Sequence, residues 1–424
     1  TGLLFGLAPA WQATQTHLSE TLKDGGRNAG QSAARNRTRS ALVVFEMAVA
    51  VVLLIGSGLL LRSFVRLLNV GPGFEAPNVL TMRIDLPREK YNTLEKAAAF
   101  WVDLRERLRG QPGVEVVGMN TELPLSGQPN DTNFTVEGRP ATAPNQQYNA
   151  DFRRVNEDYL RALRIPLLRG REFTAQETQH SANVTLISER LAQSVFPNED
   201  PIGKRLVMGL NQPIVFEIIG IVGDIRHRTL EGEPRATMYF PTVQVGGSNL
   251  VIRVANNPIA MASIVRREVK AIDPEQPIAA IRTMEEVVGE SVTTPRFRTW
   301  LLGLFALVAL LLSAVGIYGV MAYSVAQRTN EIGIRMALGA QALDVLKLII
   351  GQGLKLTLIG VGIGLAAAFG LTRLMRSLLF SVSATDPLTF IGIVLLLTVV
   401  ALLACWIPAR QATKVDPMLA LRSE

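Results

Sequence analysis

Four apolar stretches constrain this chain more than anything else in it: residues 41–61, 299–327, 348–372 and 388–409. A hydrocarbon core about 30 Å thick takes about 20 apolar residues of helix to cross. The first stretch carries one charge, Glu46, and the third carries Lys355; the second and fourth carry none. A buried helix of a soluble protein can imitate one such run, but not four. The pattern predicts an α-helical integral membrane protein with four transmembrane helices and an α+β domain inserted between the first two.

Charge then sets the orientation. The chain of 424 residues has a formal charge of +7, and a basic balance can serve nucleic acid, an anionic surface or the flanks of membrane spans. Arg27, Arg35, Arg37 and Arg39 precede the first stretch; Arg328, Arg335, Lys347 and Lys355 fall between the second and third; Arg410, Lys414 and Arg422 follow the fourth. On the other side stand Arg62, Arg66, Arg296, Arg298, Arg373 and Arg376. Excess Lys and Arg mark the cytoplasmic side. This reading puts the basic segment 27–40, the segment 328–347 and the tail 410–424 in the cytoplasm, with residues 62–298 and the short loop 373–387 outside. Membrane lipids are the expected partners of the basic clusters, and nucleic acid is not.

Residues 62–298 read as a folded domain. Residues 79–86, 114–120, 184–188, 216–222 and 249–255 have strand composition, and helical spacing runs through residues 93–109, 189–196 and 258–272. Ser188 stands where it would cap the second of these helices. Two subdomains are expected, one split between residues 67–165 and 245–295, and one inserted at about residues 166–244.

Several chemistries are absent from the sequence. The single cysteine, Cys405, lies in an apolar run, and His17, His180 and His227 are scattered, so neither a disulfide nor a histidine–cysteine metal site is expected. No Ser/His/Asp or Cys/His set stands out. No GxxxxGK[ST] loop occurs; the one Gly-Lys pair, Gly203–Lys204, is followed by Arg205. No catalytic, metal or cofactor site is predicted.

An internal repeat bears on domain organisation. PAWQAT at residues 9–14 recurs as PARQAT at residues 408–413, each after an apolar run. Residues 1–26 therefore read as the tail of a preceding copy of the whole unit.

EIGIRMALGA at residues 331–340 resembles the short cytoplasmic segment after the second span of FtsX/MacB-type permeases of ABC systems. GREF at 170–173, VTLIS at 184–188, DPIGK at 200–204 and EIIGIVGD at 217–224 resemble the MacB-type periplasmic core domain. PARQAT, then DP at 416–417 and LALR at 419–422, is similar to the family's cytoplasmic ending. GSGLLLRSF at 56–64 and GPGF at 71–74, taken with the repeat, resemble the acidobacterial duplicated orphan permeases, in which two such units share one polypeptide.

The resemblance implies a non-catalytic permease of the bacterial inner membrane, driven by ATP hydrolysis on a separate ABC ATPase. It also implies a first repeat or a second copy as pseudo-dimer partner, and a periplasmic adaptor as a further possible partner. Its role would be export across the envelope; the alternative is a regulator or scaffold acting on envelope proteins such as cell-wall hydrolases. The ATPase-coupling helix would comprise Glu331, Ile332, Gly333, Ile334, Arg335, Met336, Ala337, Leu338, Gly339 and Ala340, whose mixed apolar and charged faces suit a contact helix. Gly333, Gly339 and Ala340 would allow close backbone approach and a sharp helix end. Two further features come from the residues themselves. Glu46 is an ionisable group within a span, and the favoured account is that it reaches the headgroups or pairs with Arg39. Gly360 and Gly364 form a GxxxG pair suited to close helix packing.

Overall fold

The computed structural model describes residues 28–139, 147–180, 183–209, 212–241, 247–338 and 341–413. The expected tail of a preceding repeat, residues 1–26, and residues 414–424 of the cytoplasmic tail lie outside them. The chain divides into two compact units, one being Phe64–Phe297 and the other the described residues on either side of it.

The flanking residues form the membrane unit. Among the described residues four helices are long and apolar enough to cross a membrane: Asn28–Leu68, Thr293–Gln327, Ala342–Leu374 and Pro387–Ala412. Each extends past the apolar run read from the sequence, because backbone hydrogen bonding continues into polar flanks that need no hydrocarbon. Residues 342–347, assigned above to the cytoplasmic segment, are instead the opening turns of the third long helix, started by a capping box between Gln341 and Asp344. The loop assigned to residues 373–387 is likewise shorter and holds the 3-10 turn Arg376–Leu378.

The first long helix is the axis of this unit. Val43, Met47, Val51, Ile55 and Leu59 recur every fourth residue, which stacks them along one helical ridge, and all are buried. They share a core with Ile317 and Met321 of the second long helix, Val361 of the third, and Leu397 and Ala401 of the fourth. The third helix packs closely against the first. A Cβ added at Gly360 would stand 2.7 Å from Met47 Cβ, and one at Gly364 would stand 2.6 Å from Val51 Cβ and 2.9 Å from the Ala48 carbonyl oxygen. The GxxxG pair thus faces the first helix of the same chain. At the other end of the first helix Arg62 pairs with Asp386, and Ser63 Oγ accepts the Phe380 amide at 2.8 Å.

The described residues of the unit Phe64–Phe297 form eleven strands: β1 Val79–Asp85, β2 Val114–Asn120, β3 Asp131–Val136, β4 Tyr148–Val155, β5 Leu167–Gly170, β6 Val184–Ser188, β7 Arg205–Met208, β8 Ile214–Val222, β9 Thr237–Pro241, β10 Gly247–Val254 and β11 Ala279–Thr283. In the first lobe the order β11-β1-β10-β2 is antiparallel throughout. Helices Leu94–Arg109 and Pro258–Ile272 cover one face of it. Phe100, Trp101, Leu104 and Val265 from these helices meet Leu80, Met82, Ile84 and Ile252 from the strands. Thr93 and Asn257 start the two helices by accepting amide hydrogens from Lys96 and Ile259.

The second lobe closes on itself. β4 pairs β3, β3 pairs β7, β7 pairs β8, β8 pairs β6, β6 pairs β9, and β9 returns to β4 in parallel, giving a six-stranded ring. Its interior holds Phe134, Ile187, Leu206, Ile218, Met238 and Phe240, with the helix Glu189–Val195 over one end. Ser188 caps that helix through the Leu191 amide at 3.3 Å. One bridge, Asn120↔Val155, joins the two sheets. The expected boundary at about residue 166 is therefore corrected: residues 131–155 belong to the second lobe. The reason is the non-local β4–β9 pairing, which no local pattern announces. Between β4 and β5 the helix Tyr159–Leu163 returns to pack on β2 and β10 of the first lobe.

Candidate functional site

The segment joining the second and third membrane helices folds as a short helix, Thr329–Ala337, with Leu338 as its C-cap residue. Thr329 fastens its start by donating its hydroxyl to the carbonyls of Val325 and Ala326 at 3.1 and 3.0 Å. The helix is amphipathic in a way the order of residues did not decide. Ile332 is buried in the membrane unit's core with Val345 and Ile349, Gly333 is buried too, and Met336 packs against the same core. Ile334 and Leu338 point away and are 47% and 83% exposed.

The apolar residues Ile332, Ile334, Met336 and Leu338 therefore divide between an inward and an outward face. The outward one is the row Glu331, Ile334, Arg335, Leu338, spaced i, i+3, i+4, i+7 along one side of the helix. Glu331 and Arg335 pair across one turn at 2.6 Å, about half exposed. The side chain of Ala337 is not among those described, and Gly339 and Ala340 lie outside the described residues.

Of the two accounts offered for Glu46, the pairing with Arg39 is not formed. The Arg39 guanidinium lies 4.1 Å from the centre of the Tyr323 ring, a cation–π contact, and does not pair with Glu46. The Glu46 carboxylate faces Gly316 of the second membrane helix, where a Cβ would collide with it. Sequence reasoning missed Gly316, since nothing local marks which glycine faces which acid. It missed Gly353 as well, whose close approach leaves room for the buried Cys405.

In the other unit a polar network ties the two lobes together. Arg153, buried on β4, is 2.8 Å from Glu122 and donates from Nε to His227 Nδ1 at 3.4 Å, and His227 Nε2 lies 2.9 Å from the Tyr239 hydroxyl. Burial first, then Arg153, pushes the His227 imidazole well below its ordinary range, so it is neutral. Neutral Nδ1 accepts and Nε2–H donates, an arrangement suited to holding structure. Among the described residues no group of three or more His, Cys, Asp or Glu is arranged to hold a metal ion.

Two family models match the chain: the MacB-like periplasmic core domain over residues 40–287 and the FtsX-like permease C-terminal domain over residues 303–417. The macrolide export ATP-binding/permease protein MacB of Marinobacter nauticus is 28% identical over 300 residues, covering 68% of this chain and 45% of that protein. An uncharacterized ABC transporter permease of Bacillus subtilis, YknZ, is 25% identical over 420 residues, covering 95% of this chain and 100% of that protein. The crystal structure of the periplasmic region of MacB from Actinobacillus actinomycetemcomitans, 17% identical, aligns over 52% of this chain and 95% of that one with a TM-score of 0.36. The chain thus spans 45% of the length of the Marinobacter relative, whose printed name joins an ATP-binding function to a permease. With two family models matching, the first over more than half of its length, this chain belongs to the FtsX/MacB-type family of ABC transporter permeases.

Proposed function

We propose that the chain is the permease part of an export system in which ATP binding and hydrolysis on a separate ABC ATPase rearrange the four membrane helices and, through them, move the periplasmic core domain. The observation that carries this is the outward row Glu331, Ile334, Arg335, Leu338. Two large apolar side chains stand exposed beside an ion pair, on a helix whose other face is locked into the membrane unit's core. Push or rotation applied to that row is handed directly to Ile332, and so to Val345 and Ile349 of the third membrane helix. The similarity to YknZ, whose name is that of a permease alone, supports an ATPase on another chain. A first repeat or a second copy would complete the membrane assembly, in the bacterial inner membrane. The test is a photocrosslinking amino acid at Leu338: it is expected to capture the cognate ABC ATPase, with capture changing between ATP-bound and nucleotide-free states. Capture of lipid alone in both states would refute the docking role.

A further inference from the structure

A cavity of about 360 Å³ lies between the first and second membrane helices. One face of each helix lines it, with Arg39, Val43 and Glu46 at i, i+4 and i+7 on the first, and Gly316, Gly319 and Tyr323 on the second. The two helices meet so that Arg39 is level with Tyr323 and Glu46 is level with Gly316. Seven residues are about 10 Å of helix. Glu46 is therefore about 10 Å deeper in the span than the Arg39–Tyr323 contact.

Three observations converge on what this space holds. Gly316 makes room for the Glu46 carboxylate, and Gly319, about one turn further on, borders open space, where a Cβ would meet nothing within 4 Å. The remaining walls are aliphatic, Val43 among them. The ion pairs of the membrane unit, among the described residues, are Arg62–Asp386 and Glu331–Arg335, and Glu46 is in neither. A carboxylate at this depth without a counter-charge is costly, and such groups mark binding sites or ion paths.

We infer that the cavity binds a lipophilic monocation, an organic amine or onium ion whose charge meets Glu46 and whose apolar body fills the open space beside Gly319. A hard metal cation is a poor match, because it requires about six oxygen ligands and this wall supplies one carboxylate. The volume lies at the lower end of the range for small-molecule sites, about 300–1,000 Å³, which fits one compact ligand. This site is independent of the ATPase-docking row, so either can fail without the other.

The test uses the full chain in phosphatidylcholine nanodiscs and two ions of the same shape and opposite sign, tetraphenylphosphonium and tetraphenylborate. Saturable retention of tetraphenylphosphonium by the wild type is expected, with none for tetraphenylborate. Glu46→Gln keeps the size of the side chain and is expected to weaken retention at least about tenfold. Gly319→Leu keeps the carboxylate but fills the cavity, and is expected to lose retention at an unchanged elution profile and melting temperature. Absence of saturable binding by the wild type, equal binding by Glu46→Gln or by Gly319→Leu, or equal retention of the two ions would each overturn the proposal.

Discussion

The guanidinium of Arg62, at the end of the first membrane helix, donates to the carboxylate of Asp386, the residue that also caps the fourth membrane helix by accepting from the Thr389 amide and hydroxyl. One side chain thus closes a helix end and joins two helices. Asp386→Ala should cost about 1–2 kcal/mol, the sum expected for a lost cap and a part-buried ion pair. Asp386→Asn retains a capping oxygen and should cost less. Thermal melts of the full chain in detergent give both values, and equal losses would mean that the cap contributes nothing.

Packing of the third membrane helix on the first makes a sharp contrast between two neighbouring glycines. Gly364 faces Val51 and Ala48 at less than 3 Å from a would-be Cβ, apart from the 3.0 Å to the Ala48 Cα, whereas Gly362 has open space. Gly364→Leu should destabilise the membrane unit by about 2 kcal/mol or more through overpacking, and Gly362→Leu should be close to neutral. Similar melting temperatures for the two variants would contradict this helix contact.

On the short helix between the second and third spans, Ile334 is exposed and Ile332 is buried. Ile334→Asp should leave folding unchanged but cost about 2 kcal/mol or more of ATPase binding, by placing an unpaired charge in an apolar contact. Arg335→Ala should cost less, since its Glu331 partner is half exposed. Co-purification and ATPase stimulation measure the effect. Full stimulation by Ile334→Asp would leave the segment a connector only.

The unit Phe64–Phe297 should fold alone as a soluble module and melt cooperatively, since both of its lobes have their own apolar cores. Within it Glu177 accepts from Arg171 at 2.9 and 2.7 Å and from the Thr174 amide at 2.9 Å. The Arg171 hydrogen bond foremost, with the Thr174 bonds, lowers the Glu177 carboxyl to about 2. A lowered folded-state value gives stability that is present above the ordinary 4.5 and lost as pH falls from there to about 2. Glu177→Gln should therefore cost about 1–2 kcal/mol at pH 7 and flatten the acid limb in urea titrations of this fragment. An unchanged acid limb would show that the pair is not formed in solution.

Orientation follows from the basic residues flanking the spans. A reporter inserted after Gly138 should read as external and one after Arg335 as cytoplasmic. A cytoplasmic signal at Gly138 would reverse the proposed arrangement.

What the sequence displayed was what local chemistry dictates. The four apolar runs announced the membrane helices, and β2, β6 and the helix Pro258–Ile272 have the bounds that their own side-chain periodicity indicates. The six-stranded ring was not visible, because β4 meets β9 across more than eighty residues of chain and a parallel pairing leaves no turn signature. The same distinction applies to the sites. The composition of Glu331–Leu338 marked a helix of mixed apolar and charged character, but the choice of Ile332 for the inside and Ile334 for the outside is made by Val345 and Ile349 of the next helix. Arg39 was one of two partners expected for Glu46, beside the headgroups; Tyr323, from a helix nearly three hundred residues away, has taken its guanidinium.

The closed ring of β4, β3, β7, β8, β6 and β9 limits how anything can grip the second lobe. Strand addition requires an open row of backbone amides and carbonyls, and a ring has used both sides of every strand. Along the described strands that kind of handhold is found at β11, which pairs only with β1 of the first lobe, and at the short β5, which pairs only with β8. Away from β5, a partner seeking the second lobe must read its loops and side chains. The ring also leaves neighbouring molecules few strand edges on which to pair.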